Sequence, residues 1–253
     1  MATRAYLSLG HRCYVTSGRS SMSIVWIFYF KTDQKKREWQ SGLADCNDVG
    51  LSYCSGVFTV TPVTGTTFDV YCDMDTPGGP WTVIQNRYDG SVDFMRSWAE
   101  YKDGFGHING EFWLGMEPIR SLLVLGQALR ITLESWQGDV KYADFTTFHI
   151  GSETEKYMLT LQYSGGTLTD EISYHSGKVF STFDRDNDNA PFSCSDLYKG
   201  AWWYGWCYSC NLFGLYVEDI GNDDTTSMTW RKFYSDREKP PLRKCKMMVK
   251  RLT

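Results

Sequence analysis

The sequence lacks the features by which several large protein classes are recognised. Its N-terminal apolar run, SIVWIFYF at residues 23–30, is far shorter than the roughly 20 apolar residues that a membrane-spanning helix needs. No G-x-S-x-G, H-E-x-x-H or Walker motif occurs, and these motifs mark serine hydrolases, zinc proteases and nucleotide-binding enzymes. Histidine is scarce, with four residues that show no metal-ligand spacing. These absences predict that the protein is not an enzyme.

Positive charge is also scarce beyond the N-terminus. Residues 1–44 contain seven Lys or Arg and two Asp or Glu, a net charge of +5. Because the whole chain carries −4, residues 45–253 carry −9. Nucleic-acid binding depends on clustered Lys and Arg that neutralise phosphates. The main part of the chain is therefore predicted not to bind nucleic acid, and its acidic character suits metal cations or basic partners.

Residues 1–44 are predicted to be a leader and linker outside the main domain. The apolar run at 23–30 reaches the lower limit of a signal-peptide core, but no Ala-x-Ala cleavage site follows it. A signal-like segment, a truncated anchor and a leader without defined structure all stay open as interpretations. The charged segment KTDQKKREWQ at 31–40 is predicted to be a solvated linker.

Cysteine and aromatic residues are abundant. Aromatic side chains make up 16% of the chain, with 10 Trp and 16 Tyr, and they serve either as core bulk or as surfaces that stack on ligands. The eight cysteines show no repeated zinc-type pairs, and an even number in such a chain is typical of disulfides and an oxidising compartment. The protein is therefore predicted to be secreted. The residues alone leave the pairing open.

Short alternating segments bounded by Gly and Asp predict more strand and loop than helix. Strands are predicted at 67–72, 81–85, 129–133, 157–162 and 247–252. Short helices are predicted at 98–105 and at 118–125, the second with a proline at its start. Together these segments predict an α+β fold.

Three stretches carry a specific resemblance. They are VYCDMDTPGGPWTVIQNRYDGSVDF at 70–94, YKDGFGHINGEFWLG at 101–115, and residues 180–214, which contain FSTFDRDND, GAWWY and NLFG. In this order they resemble the fibrinogen C-terminal domain of ficolins, tachylectins, angiopoietins and fibrinogen. The resemblance covers residues 45–253 and implies mixed short sheets, few helices and a loop-rich subdomain that binds calcium and ligand. Trp202 and Trp203 of the GAWWY motif are expected to be structural.

The resemblance also implies two disulfides. In the family the first cysteine pairs with the cysteine of the YCDMD strand, which here joins Cys46 to Cys72. A second pair flanks the ligand pocket, and here it joins Cys194 to Cys207. Closing each loop is expected to stabilise the fold by about 3–4 kcal/mol, by restricting the unfolded chain.

The remaining cysteines, Cys13, Cys54, Cys210 and Cys245, lie outside the family pattern. Cys210 and Cys245 are candidates for a further local bridge, and Cys13 is a candidate partner of Cys54 or of another chain. An interchain bond would suit a family that often works as oligomers, so a homo-oligomer is expected in the full-length protein. The W-C-x-x-C sequence at 206–210 resembles a thioredoxin motif, but no helical pattern follows it.

Alternating acidic residues at 184–188 predict a calcium site. Oxygen ligands at this density suit Ca²⁺, which takes six to eight of them. An EF-hand loop counted from Asp184 would need Gly at its sixth position and Glu at its twelfth. This chain has Asn189 and Ser195 there, so an EF-hand is excluded.

The fibrinogen-like calcium site fits this loop better. By its distance from Cys194, the resemblance implies that Asp186 and Asp188 bind the ion through their side chains. Ala190 and Phe192 are then expected to bind it through their backbone carbonyls, and water completes the shell. The ion is expected to hold the loop beside the ligand pocket and not to take part in chemistry.

The ligand pocket is expected next to this loop. In ficolin- and tachylectin-like members it accepts the acetyl group of N-acetylated sugars, and its floor includes a cis peptide bond that here would join Trp206 to Cys207. The lectin members mostly have His after that cysteine, whereas this chain has Tyr208. The residues expected to form a different, aromatic pocket are Trp206, Cys207, Tyr208, Tyr216, Phe233 and Tyr234.

The sequence thus predicts a ficolin-like extracellular module that binds acetylated or other glycans in a calcium-dependent way, as in innate immune pattern recognition. Because a single pocket binds weakly, avidity would come from oligomers. The alternative is an angiopoietin- or tenascin-like ligand whose same face binds a cell-surface receptor or the matrix.

Overall fold

The computed structural model describes residues 42–50, 53–219 and 221–252. The predictions for the apolar run at 23–30, for the linker at 31–40 and for Cys13 concern residues outside these ranges. Within the described ranges, no helix is long and apolar enough to cross a membrane.

Antiparallel strands form the framework of the described chain. The main sheet has nine strands, of which seven follow the order β1-β2-β3-β11-β6-β7-β8, while β5 pairs with both β3 and β4. A second sheet pairs β9 with β10. The strands are β1 (Gly56–Val60), β2 (Phe68–Asp73), β3 (Trp81–Arg87), β4 (Phe105–Gly106), β5 (Phe112–Trp113), β6 (Gln127–Ser135), β7 (Val140–Ile150), β8 (Leu159–Gly166), β9 (Cys210–Asn211), β10 (Thr229–Trp230) and β11 (Leu242–Arg251).

Three short α-helices accompany the sheets in the described residues: α1 (Trp98–Asp103), α2 (Met116–Leu123) and α3 (Cys194–Tyr198). A capping box starts α1, because Ser97 and Glu100 satisfy each other's backbone N–H groups. Helix α2 begins two residues before the predicted start, so that Pro118 lies within its first turn, where a missing N–H is tolerated. The predicted α+β class is confirmed by these elements.

The core lies on the side of the sheet where alternate residues of the central strands are buried. Cys245, Met247 and Val249 of β11 belong to the same buried cluster as Trp202 and Trp203. Both of these tryptophans are fully buried, as expected for structural residues. The aromatic content of the chain thus goes largely into packing.

Residues 180–219 and 221–241 form the loop-rich part of the domain. Besides α3, β9 and β10, most of this segment is turn and irregular chain. It is nevertheless well buried, since Phe180, Phe213 and Trp230 are all about fully enclosed. Loops held this firmly can present side chains in a fixed arrangement.

Candidate functional site

The acidic loop at 184–188 is fastened to helix α1. Asp184 accepts hydrogen bonds at Oδ1 from the Thr182 hydroxyl (2.7 Å) and from the backbone N–H of Trp98 (3.0 Å). Trp98 is the first residue of α1, so Asp184 satisfies one of the free N–H groups at the helix start. Asp184 therefore shapes the loop and is committed to the helix.

The two proposed side-chain ligands lie next to each other in this loop. The backbone N–H of Asp188 donates to Oδ1 of Asp186 (3.1 Å), and the Asp188 carboxylate accepts from Ala190 N (2.8 Å) and Cys194 N (2.8 Å). Burial raises the pKa of Asp188, and the neighbouring carboxylate of Asp186 raises it further. A bound cation would offset both effects, because it favours the charged form of each carboxylate.

The donor set fits a hard cation such as Ca²⁺. Within the described ranges no group of three or more His, Cys, Asp or Glu side chains is arranged around a metal position. A cation at Asp186 and Asp188 therefore needs further oxygen ligands from backbone and water. Among the described residues, nothing donates a hydrogen bond to the carbonyls of Ala190 and Phe192, which leaves both oxygens available.

A disulfide joins the acidic loop to the turn at 205–208. Cys194 is bonded to Cys207, as the resemblance implies, and Cys46 is bonded to Cys72. The backbone N–H of Asn189 also donates to the carbonyl of Gly205 (3.1 Å). The proposed calcium loop and the proposed ligand turn are thus linked by a covalent bond and by a hydrogen bond.

The expected cis peptide between Trp206 and Cys207 is absent. In the described chain the cis bond is Gly79–Pro80. The turn reverses by another route: Cys207 has a left-handed backbone with φ of 58°, and Gly205 N–H donates to the Cys207 carbonyl (3.0 Å). A left-handed conformation at a residue other than glycine is uncommon and depends on its surroundings.

Trp206 projects from this turn into solvent. Its side chain is 68% exposed, which is unusual for a residue of this size. Its backbone N–H donates to the hydroxyl of Tyr174 (3.0 Å), and Tyr174 is itself exposed. Phe192 and Leu197, on either side of Cys194, are exposed as well. Tyr174 was missed by sequence reasoning because it lies 32 residues away in the chain and belongs to no motif.

Tyr208 fills the space beneath the turn. It is only 8% exposed, and its ring meets that of Tyr198 edge-on at 4.8 Å. The Lys239 ammonium lies 4.0 Å from the centre of the Tyr208 ring, and the Tyr208 hydroxyl donates to the Thr225 carbonyl. Burial raises the pKa of this hydroxyl. Tyr208 is thus a supporting residue with an occupied hydroxyl.

The other proposed pocket residues do not join this group. Tyr216 packs against Trp136 and donates through its hydroxyl to the Tyr88 carbonyl (2.9 Å). Phe233 is buried, and Tyr234 packs on it; the Lys141 ammonium lies 4.6 Å from the centre of the Phe233 ring. Within the described residues, no ring contact connects Tyr216 or this pair to Tyr208. By their ring contacts, the aromatic residues of this set fall into three groups, around Tyr208, Tyr216 and Phe233.

The predicted Cys210–Cys245 bridge is wrong. Both residues are buried free thiols. Cys245 lies in the middle of β11, directly opposite Leu133 on β6 and Arg87 on β3, so the sheet fixes its direction. Cys54 is disulfide-bonded. Because Cys207 is bonded to Cys194, the W-C-x-x-C residues form no thioredoxin-like pair.

Comparisons with known proteins agree with the fold. The family model "Fibrinogen beta and gamma chains, C-terminal globular domain" matches residues 43–252. Angiopoietin-related protein 7 of Mus musculus is 45% identical over 166 residues, which are 64% of this chain and 49% of that protein. Ficolin-3 of Homo sapiens is 43% identical over 183 residues, which are 70% of this chain and 61% of that protein. The chain thus spans about half the length of the curated relatives it matches.

Solved structures show the same architecture. The fibrinogen-like globe domain of human ANGPTL2 has a TM-score of 0.76 and 36% identity, and the match covers 82% of this chain and 98% of that one. Lamprey fibrin D-dimer, in complex with the peptide ligand Gly-His-Arg-Pro-amide, has a TM-score of 0.73 and 26% identity, with coverage of 88% and 83%. The family match over residues 43–252 and these likenesses lead to one assignment: the chain belongs to the fibrinogen C-terminal domain family.

Proposed function

We propose that the chain is a secreted recognition domain that binds glycans through the Trp206 turn, with a Ca²⁺ ion in the neighbouring loop holding that turn in place. The proposal is carried by the exposed Trp206 ring on a turn that is fixed by the Cys194–Cys207 disulfide. A Trp ring offers a large, rigid contact area at a low cost in conformational entropy. The domain acts by binding and not by catalysis.

Asp186 and Asp188 would hold the ion through their carboxylates, and Ala190 and Phe192 through their carbonyls. The ion supplies positive charge that fixes the loop. Because Asn189 donates to Gly205 and Cys194 is bonded to Cys207, order in the loop passes directly to the turn. Ligand binding is therefore expected to depend on calcium although the ion need not touch the ligand.

An open aromatic platform supports glycan binding better than a closed acetyl pocket. Trp206 and Tyr174 are exposed side chains held together by a hydrogen bond to the Trp206 backbone. Aromatic faces are suited to stacking on the apolar face of a sugar ring, while the Tyr174 hydroxyl offers a polar group. Tyr208, by contrast, is buried and its hydroxyl is already used.

A protein partner is the second candidate, and one observation favours it. Phe192 and Leu197 are also exposed near the disulfide, and exposed apolar side chains around an aromatic anchor are typical of protein interfaces. The relatives include angiopoietin-related proteins, and the lamprey fibrin structure contains a peptide ligand. A weak single site would in either case gain avidity from a homo-oligomer of the full-length protein.

A glycan array separates these candidates when it is probed with the full chain. Binding should fall at least tenfold with Trp206→Ala, and it should be lost in EDTA and with Asp188→Asn. Val124→Ala, which truncates an exposed apolar residue after α2, serves as the control and should leave binding unchanged. Glycan binding that survives Trp206→Ala would contradict the proposed site, and an array without any signal would favour the protein partner.

A further inference from the structure

The proposed calcium loop contains a cation of its own. Arg185 lies between Asp184 and Asp186 in the sequence. Its side chain is 42% exposed, so it has room to adopt other rotamers. A guanidinium beside Asp186 would form an ion pair with the carboxylate that Ca²⁺ needs. The position of Arg185 therefore bears on the affinity of the loop for a cation.

The structure holds Arg185 against helix α1. Its guanidinium carbon lies 4.0 Å from the centre of the Trp98 ring, a distance typical of a cation–π contact. Its Nη1 lies 3.8 Å from Oε1 of Glu153. The hydrogen bond from Trp98 N–H to Asp184 holds the loop beside the start of α1, next to the Trp98 ring.

Glu153 organises this contact from a distant part of the chain. It lies in the short 3₁₀ turn Glu153–Glu155 before β8. Oε1 of Glu153 accepts from the Trp98 indole N–H (2.9 Å), while Oε2 accepts from the Lys102 ammonium (2.7 Å). Glu153 thus fixes the orientation of the Trp98 ring and attracts Arg185 to its face.

We propose that Glu153, together with Trp98, is a positioning residue of the calcium loop. It keeps Arg185 away from Asp186 and so leaves that carboxylate free for Ca²⁺. This inference rests on the proposed function, since it requires that the loop bind the ion. Without Glu153, Arg185 loses its carboxylate partner and turns to Asp186 in competition with the cation.

The test is the Kd for Ca²⁺, measured by isothermal titration calorimetry on the full chain. Glu153→Gln keeps an acceptor for the Trp98 indole but removes the charge that attracts Arg185. We expect it to weaken Ca²⁺ binding about three- to fivefold, the size of an exposed ion pair. Arg185→Gln alone should not weaken binding, and the double variant should return to the affinity of Arg185→Gln.

Glu155→Gln is the matched control. It removes the same charge two residues away, and its carboxylate bonds Ser152 and neither Trp98 nor Arg185. We expect its Kd to stay within about 1.5-fold of the unchanged chain. Failure of the unchanged chain to bind Ca²⁺ would refute the proposed function itself. Equal effects of Glu153→Gln and Glu155→Gln, or a double variant as weak as Glu153→Gln, would refute only the role of Glu153.

Discussion

His175 is fully buried, and both of its ring nitrogens are engaged. Nε2 accepts from the backbone N–H groups of Ser209 (3.3 Å) and Cys210 (3.2 Å). The proton must therefore sit on Nδ1, which donates to the Trp203 carbonyl (2.8 Å). The ring links Trp203 to the segment after the ligand turn as a neutral group, and protonation of Nε2 would oppose two N–H donors.

This arrangement predicts a loss of stability in acid. Burial lowers the pKa of His175 from 6.5 to about 4, so the unfolded chain binds a proton at a higher pH than the native one. The free energy of unfolding should fall as the pH drops from about 6.5 to about 4, and this group should contribute no further change below that. The pKa shift of His175 corresponds to a loss of about 3 kcal/mol in the free energy of unfolding.

Urea unfolding at pH 7.5 and at pH 4.5 measures this contribution. His175→Asn keeps a donor for the Trp203 carbonyl but cannot take up the proton. The difference in unfolding free energy between the two pH values should be about 2–3 kcal/mol smaller in this variant than in the unchanged chain. His149→Asn, at an exposed position, is the control. An acid loss that is the same in all three proteins would contradict the assignment.

The cysteines show how far single residues can be interpreted from sequence. Cys46, Cys72, Cys194 and Cys207 could be paired because the family pattern places them, and the structure has both bonds. For Cys210 and Cys245 no family pattern exists, so the even cysteine count makes them only candidates for a bridge. A disulfide needs the two side chains to point toward each other, and the direction of Cys245 follows from its register in β11, which the sequence does not reveal.

At the scale of elements, Glu111 organises the loop between β3 and the chain that leads to α1. Its buried carboxylate accepts four backbone N–H groups, at 2.5–3.0 Å. These belong to Tyr88, Asp89, Gly90 and Val92. The loop has no strand partner for these backbone N–H groups, and the Glu111 carboxylate accepts their hydrogen bonds instead.

Glu111→Gln should therefore lower the free energy of unfolding by about 2–4 kcal/mol. The amide nitrogen cannot accept a hydrogen bond, and the remaining bonds lose their charge assistance. Glu155→Gln, at an exposed carboxylate whose hydrogen-bond partner within the described ranges is Ser152, should cost less than about 1 kcal/mol. Equilibrium urea unfolding of both variants decides the matter, and equal costs would contradict this account of Glu111.

All five predicted strands are present in the structure, at least in part. β2, β3, β6, β8 and β11 overlap the predicted 67–72, 81–85, 129–133, 157–162 and 247–252. Burial alternates strictly along β6, whereas β3 is buried on both faces. β7 was missed, since its register with β8 shifts on both sides of Phe145 and its buried residues do not alternate. β1 is not among the predicted strands either. Helix α3 is not predicted, and it contains only five residues.

The candidate site can be proposed from sequence only as far as neighbours in the chain determine it. The acidic loop and the Trp206 turn are local, and the disulfide unites them. The aromatic pocket was a prediction about rings from distant segments, and each ring found its own partner: Tyr216 packs on Trp136, and Tyr208 on Tyr198. Which rings meet depends on loop paths that no residue pattern encodes.

At the scale of the whole molecule, the last strand completes the sheet. β11 lies between β3 and β6 and pairs with both. The two ends of the described domain also meet, since the Arg251 guanidinium binds the carboxylates of Asp45 (2.8 Å) and Asp48 (3.0 Å). Contacts between segments this far apart in the sequence raise the contact order, and topologies of high contact order fold slowly.

The central place of β11 predicts that the domain cannot fold without its last residues. Deletion from residue 242 onward would expose facing edges of β3 and β6 and remove Leu242, Met247 and Val249 from the core. Each loss of a large buried apolar side chain costs about 2–5 kcal/mol, and the pairing of β11 with both neighbours is lost as well. The sum exceeds the stability of a typical domain, which is about 5–15 kcal/mol. Thermal unfolding followed by near-ultraviolet circular dichroism should show no cooperative transition for this truncation.

Deletion of residues 252–253 alone keeps Arg251 and all of β11 and should leave the transition nearly unchanged. A cooperative transition in the longer deletion would mean that the two halves of the sheet are stable without the strand that joins them.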